Sequence, residues 1–270
     1  MILKNRFLIL RRISQISIMI LFFGGNYWGW KILNGNLSSA KIFDSFQITD
    51  PYVVVQTFAS GFILAADALI GGLIVFLFYA FIGGRMFCSW VCPMNIVTDT
   101  ANWLRKKLKM YKEDVKVPVK RTIRYWILGL SLVLSFAFGV AAFELVSPVS
   151  MLHRGIIFGM GMGWSAVLIV FLFDFAVLQN GWCGYVCPIG GFYSLTNKFS
   201  ILKVKHTKDN CTGCNKCFVA CPEKQVLKGI INKQDGQITN GECTNCGRCI
   251  EVCEDNALEF SINNFKKFKV

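Results

Sequence analysis

Between residues 211 and 253 the chain places eight cysteines in two runs of one spacing, Cys211-x2-Cys214-x2-Cys217-x3-Cys221-Pro222 and Cys243-x2-Cys246-x2-Cys249-x3-Cys253. Packing alone asks for no such pattern. Three thiolates two residues apart can wrap three irons of one cubane, while the fourth, set further along, reaches a second cubane. The chain here must fold as two short loops curled around metal and tied to each other.

This is the spacing of a bacterial two-cluster ferredoxin. By its rule Cys211, Cys214, Cys217 and Cys253 hold one [4Fe–4S] cluster, and Cys243, Cys246, Cys249 and Cys221 hold the other, so iron is bound through these cysteines. Zinc sites use two pairs of ligands rather than two quartets. Glu254 stands where the second run usually has proline, which alters a turn and leaves the ligand count intact. The chemistry is single-electron transfer, and nothing else in this stretch resembles a catalytic constellation.

The remainder is of another character. Hydrophobic residues make up 54% of the 270 and charged residues 17%, against about a quarter charged in ordinary soluble domains. Four apolar runs, roughly Ile13 to Leu33, Ser60 to Ile82, Tyr125 to Val146 and Ile156 to Leu178, approach the ~20 residues that cross a ~30 Å hydrocarbon core. The first follows a basic N-terminus but is too long for a signal peptide and lacks a small-residue cleavage site, so it reads as a retained span. Tyr27, Trp28, Trp30, Tyr125 and Trp126 suit interfacial belts.

The 29 Lys and Arg give a net charge of +13. Four precede the first run, ten lie between Arg85 and Arg124, and twelve lie from Lys198 onward. That asymmetry reads as topology and contact with anionic membrane lipid, not as a nucleic-acid footprint. The expected fold class is therefore a membrane all-α domain over 1–200, four transmembrane helices as two similar hairpins, followed by a small α+β two-cluster ferredoxin-like domain over 201–270. The expected location is a bacterial inner membrane, multi-pass, with both termini cytoplasmic.

An internal repeat supports the paired hairpins. Phe87-Cys88-Ser89-Trp90-Val91-Cys92-Pro93 reads like Trp182-Cys183-Gly184-Tyr185-Val186-Cys187-Pro188. Residues four apart share a helix face, so Cys88 with Cys92 and Cys183 with Cys187 offer two thiolates each. Together they supply the four ligands of a third Fe–S cluster; a redox dithiol, a zinc site or reduced structural cysteines are the alternatives. A disulfide is disfavoured on a reducing side. Asp67, Glu144, His153 and Asp174 lie in or beside the apolar runs, where ionisable residues mark functional sites. They are candidates for taking the protons released when a quinol is oxidised.

Taken together these motifs resemble the NapH family over essentially the whole chain, within a wider NosR-like and MauN-like superfamily; the large extra domain usual in NosR-like proteins is absent. The resemblance implies a membrane quinol dehydrogenase subunit. It would pass electrons from quinol to a periplasmic NapG-like ferredoxin partner, then to a cytochrome c and a molybdenum-containing nitrate reductase. The chain has no C-x-x-C-H haem motif and no GxGxxG signature, so it depends on such partners and NAD(P)H oxidation is unsupported. Two other readings stand beside this one: an iron–sulfur reductant that serves maturation of a partner metalloenzyme without a quinol site, and a docking subunit.

Overall fold

The computed structural model describes residues 5–109, 120–159, 161, 163–231 and 235–263. Part of the basic stretch before Arg124 and residues 160 and 162 of the fourth apolar run lie outside the described residues. In chain order, α1 (Arg6–Tyr27) leads to three strands, β1 (Leu33–Gly35), β2 (Ser39–Ile42) and β3 (Phe46–Thr49). Then come α2 (Pro51–Ala59), α3 (Ala66–Ile82), α4 (Met86–Trp90), α5 (Met94–Lys107), α6 (Ile123–Phe138), α7 (Ala142–Val146), α8 (Pro148–Phe158) and α9 (Gly163–Leu172). Two π-helical turns, Phe173–Val177 and Trp182–Val186, precede α10 (Pro188–Thr196). The last part holds β4 (Leu202–His206), α11 (Lys216–Ala220), β5 (Gly236–Gln237), α12 (Arg248–Glu251) and β6 (Leu258–Ile262).

Two compact units result, one from Met1–Ser14, Phe78–Val91 and Tyr193–Val270, the other from Gln15–Leu77 and Cys92–Phe192. In the first, β4 is central in an antiparallel sheet ordered β5-β4-β6, with Leu202 opposite Ile262 and His206 opposite Leu258. Val204, Val226, Leu227, Ile231, Ile238 and Leu258 form its core together with Cys217 and Cys249. This is the α+β ferredoxin-like part that the cysteine spacing predicts. In the second unit β1, β2 and β3 make an antiparallel meander, Ala40 facing Ile48, and Asp50 caps α2 by accepting from the Tyr52 amide.

The expectation of four transmembrane helices in an all-α membrane domain is corrected. Among the described residues one helix, α1, is long and apolar enough to cross a membrane. The other runs count apolar residues straight through turns. Ser60 closes α2 and Gly61 takes φ +83°, so α3 restarts at Ala66 and has 17 residues, about 25 Å at ~1.5 Å per residue. Gly139, at φ +64°, ends α6 after 16 residues, the left-handed stop that only glycine adopts freely. Gly159, at φ +98°, parts α8 from α9. The strands at 33–49 add β-structure that hydropathy did not register. The two halves of the repeat also differ: Cys88 lies on α-helix and Cys183 on a π-turn.

Charge is used differently from the topological reading too. Arg11, Arg85, Arg105, Arg124 and Lys203 are at most 2% exposed, so several of the cations counted as flank markers are interior. Large hydrophobic side chains are exposed in numbers along the apolar helices, among them Ile13, Ile16, Leu73, Phe78, Val133, Phe136, Leu168 and Ile169. Apolar surface on that scale marks contact with lipid or protein.

Candidate metal centres and their surroundings

The two cysteine loops curl by the same device written in opposite order. Gly213 and Asn215 have φ +74° and +56°; Asn245 and Gly247 have φ +48° and +74°. Glycine and asparagine are the residues that enter the left-handed region at least cost, and placing two of them at alternate positions turns each loop sharply round a centre. Short helices then carry the remaining ligands. Cys217 is on α11 and Cys221 follows it by one turn, its N–H donating to the Cys217 carbonyl at 3.0 Å. Cys249 is on α12, with Cys253 just beyond.

The outcome is two cavities, each ringed by cysteines. Cys211, Cys214, Cys217 and Cys253 line the first; Cys221, Cys243, Cys246 and Cys249 line the second. Each thus has four sulfurs, with the fourth cysteine of each run handed to the other cavity. Among the described residues no three His, Cys, Asp or Glu side chains converge on a single-ion site. Thiols that ring a volume in this way fit a cubane.

The surroundings differ. Cys214 is exposed, and near it Thr212 Oγ1 donates to Asp255 at 2.6 Å while Lys216 pairs with Glu254 at 2.8 Å, both on the open side. Glu254, the residue that replaces the usual proline, is therefore a surface ion-pair partner. The Ala257 amide donates to Cys253 Sγ at 3.3 Å, and such bonds to sulfur tune a cluster's potential. Around the second cavity Cys246 and Cys249 are buried, and burial pushes the Cys243 thiol up to about 11 and the Cys249 thiol well above its ordinary range. Bound iron would reverse that by holding these sulfurs as thiolates. Lys203 is buried beside Cys243, donating to the Asn197 carbonyl at 2.5 Å, and burial lowers its pKa to about 8. Arg85 donates to Glu223 at 2.8 Å with both side chains sealed from water. Sequence reasoning missed Arg85, Lys203, Glu223 and the buried His206 that lines the first cavity; Arg85 and Lys203 had been read only as flank charge.

Of the other cysteines, Cys92 and Cys187 are buried and Cys88 and Cys183 half-buried, each CxxxC pair ending against a proline that opens the next helix. Cys183 lies 4.0 Å from Thr98 Oγ1.

The four ionisable candidates do not form one site. Glu144 on α7 accepts from Ser38 Oγ at 2.5 Å, Ser150 Oγ at 3.0 Å and the Arg154 guanidinium at 3.1 Å. His153 on α8 is buried, and neither ring nitrogen has a hydrogen-bond partner among the described residues. Burial, with help from Arg154, lowers its pKa to about 4, so the ring is neutral. Asp67 is exposed in the first turn of α3, where an acid complements the helix dipole. Asp174 is buried elsewhere, accepting from the Trp182 amide at 2.8 Å in a polar cluster with Arg105, whose guanidinium donates to the Asp174 carbonyl at 3.5 Å.

Comparison with known proteins accords with these sites. A family model described as a 4Fe-4S binding domain matches residues 64–111 and again 157–206, and one described as a 4Fe-4S dicluster domain matches 203–254. The methylamine utilization ferredoxin-type protein MauN of Paracoccus denitrificans is 42% identical over 83% of this chain and 78% of its own length. The ferredoxin-type protein NapH of Escherichia coli is 40% identical over the same shares. MauN of Methylobacillus flagellatus is 37% identical over 98% of this chain and 93% of its own. No solved structure matches the chain.

Proposed function

Since this chain belongs to the NapH and MauN family of ferredoxin-type 4Fe-4S electron-transfer proteins, we propose that it is membrane-anchored through α1, oxidises quinol, and passes the electrons to a ferredoxin-type partner. The observation that carries this reading is the pair of four-cysteine cavities in one chain with a helix apolar and long enough for a bilayer. When bound, [4Fe–4S] clusters supply one-electron transfer at each cavity. Relatives named for methylamine utilization and for NapH match almost equally well, so the electron delivery common to both is the core of the proposal, with nitrate reduction as one terminal use.

The chain's own groups suit the remaining tasks. Quinol oxidation to quinone releases two electrons and two protons. A buried neutral imidazole with a free ring nitrogen accepts a hydrogen bond or a proton, which recommends His153. Glu144, held by Ser38, Ser150 and Arg154, is the carboxylate we propose for the second proton, and Asp67 and Asp174 are proposed for proton passage elsewhere. We further propose that Cys88, Cys92, Cys183 and Cys187 ligate a third cluster. The support is that the 4Fe-4S binding family model matches twice, once around each pair.

Reduction of the clusters by quinol in isolated membranes, read by EPR, tests the first proposal. It should occur, be blocked by a quinone-site inhibitor, and fall severalfold in His153→Ala. Undiminished reduction in both Glu144→Gln and His153→Ala would remove the proposed site. Iron and sulfide counting tests the second: about twelve irons, dropping toward eight in Cys88→Ser, supports the third cluster, and eight in the unaltered protein rejects it.

A further inference from the structure

The segment around Cys88 is fastened to the loop of the second cavity. Ser89 Oγ donates to the Thr244 carbonyl at 2.7 Å and the Trp90 indole N–H to the Asn245 carbonyl at 3.1 Å. Arg85 donates to the Glu242 carbonyl at 2.7 Å and to the Glu223 carboxylate at 2.8 Å. Glu242 immediately precedes Cys243 and Glu223 follows Cys221 by two, so one guanidinium spans both stretches that furnish ligands to that cavity. Both bonds leave one terminal nitrogen, Nη1, whose two N–H groups divide between the two stretches. Ser89 is next to Cys88 in the chain and Thr244 next to Cys243, so a single hydrogen bond joins the neighbours of the two cysteines.

The first cavity stands in contrast. Its Cys214 is exposed, and the open Lys216–Glu254 pair lies close to it. One turn of α11 connects the two cavities through Cys217 and Cys221.

We propose that Arg85, Ser89 and Trp90 are positioning residues that make the second [4Fe–4S] site the electron-transfer neighbour of the Cys88 segment, leaving the first site to trade electrons with a separate protein at exposed Cys214. At each step one centre loses an electron as the next gains it, with no bond made or broken and no proton moved. This rests on the electron-transfer reading and adds the order of its sites.

Potentiometric EPR of the full chain, poised with dithionite and chemical mediators, tests it without quinol. Cys246→Ser and Cys214→Ser first identify which signal belongs to which site. Arg85→Gln, which removes a positive charge from the second site, is expected to move the Cys246-linked midpoint to more negative potential and leave the Cys214-linked one in place, and Arg85→Lys is expected to reverse most of the shift. Ser89→Ala, which removes the hydroxyl bond to the Thr244 carbonyl, is expected to alter the same signal's g-values and keeps the test valid if Arg85→Gln does not assemble. Movement of both signals, of neither, or of the Cys214-linked one alone overturns the assignment. In a second measurement the protein is mixed with a pre-reduced soluble two-iron ferredoxin and freeze-quenched. The Cys214-linked signal is expected to rise first, and the reverse order overturns the proposal. Failure of quinol to reduce the protein would leave both results standing, so the two readings fail separately.

Discussion

His153 meets the ring of Phe22 edge-on, the centroids 4.7 Å apart and the planes perpendicular. An apolar partner on one side and, among the described residues, no hydrogen-bond partner for either nitrogen mean that protonation would place an uncompensated charge in the interior. The folded pKa of about 4 lies below the ordinary 6.5. The stability conferred by the neutral ring is therefore present above pH 6.5 and lost as pH falls toward 4, by up to about 3 kcal/mol at ~1.36 kcal/mol per unit. Thermal unfolding followed from pH 7 to pH 4 is expected to show a falling Tm that His153→Gln flattens; parallel profiles would contradict it.

The Arg85–Glu223 pair predicts an asymmetry between single and double substitutions. Removing one member of a buried pair costs ~3–5 kcal/mol, whereas replacing both by apolar residues of similar volume is far milder. Arg85→Met and Glu223→Leu are each expected to lower the temperature at which the cluster absorbance is lost. The double variant is expected to recover much of that loss.

Backbone approach gives a pair of glycine predictions. A Cβ on Gly71 of α3 would run into the Gln47 carbonyl of β3, whereas one on Gly129 of α6 meets nothing within 4 Å. Gly71→Ala is expected to destabilise by ~2 kcal/mol or more because backbone must move. Gly129→Ala is expected to stabilise by up to ~1 kcal/mol through helix propensity. Thermal denaturation in matched detergent separates them.

Iron removal is expected to be tied to protons. Burial holds the Cys243 and Cys249 thiols protonated at neutral pH when no metal is bound, so assembly must release protons and weaken as pH falls. Reconstitution of apoprotein with iron and sulfide in lightly buffered solution should acidify it, and assembly at pH 6 should be less complete than at pH 8.

How much of this was legible beforehand follows from what a spacing encodes. Ligand count and reach are written directly into the cysteine positions, and the cavities gather the same quartets that the spacing assigns. The left-handed turns at Gly213, Asn215, Asn245 and Gly247 were legible in principle through residue type. Helix ends were not, because hydropathy is blind to φ: Gly61, Gly139 and Gly159 sit inside apolar runs and stop helices there. Charge was legible as a count but not as a location, so Arg85 passed for a flank marker although it is 1% exposed. Each of the four ionisable candidates is marked only by its own setting in the chain, and no spacing ties one to another, so their distribution over the fold was not legible.

The exchange of Cys221 and Cys253 between the two loops carries a last consequence. Neither loop supplies all four cysteines of its cavity, so clusters bound there would clasp the two loops together, and stripping one would loosen both. Oxidative attack entering at exposed Cys214 would propagate inward, and iron should leave in an all-or-none fashion, the intermediate with a single intact cluster being scarce at every stage of the loss.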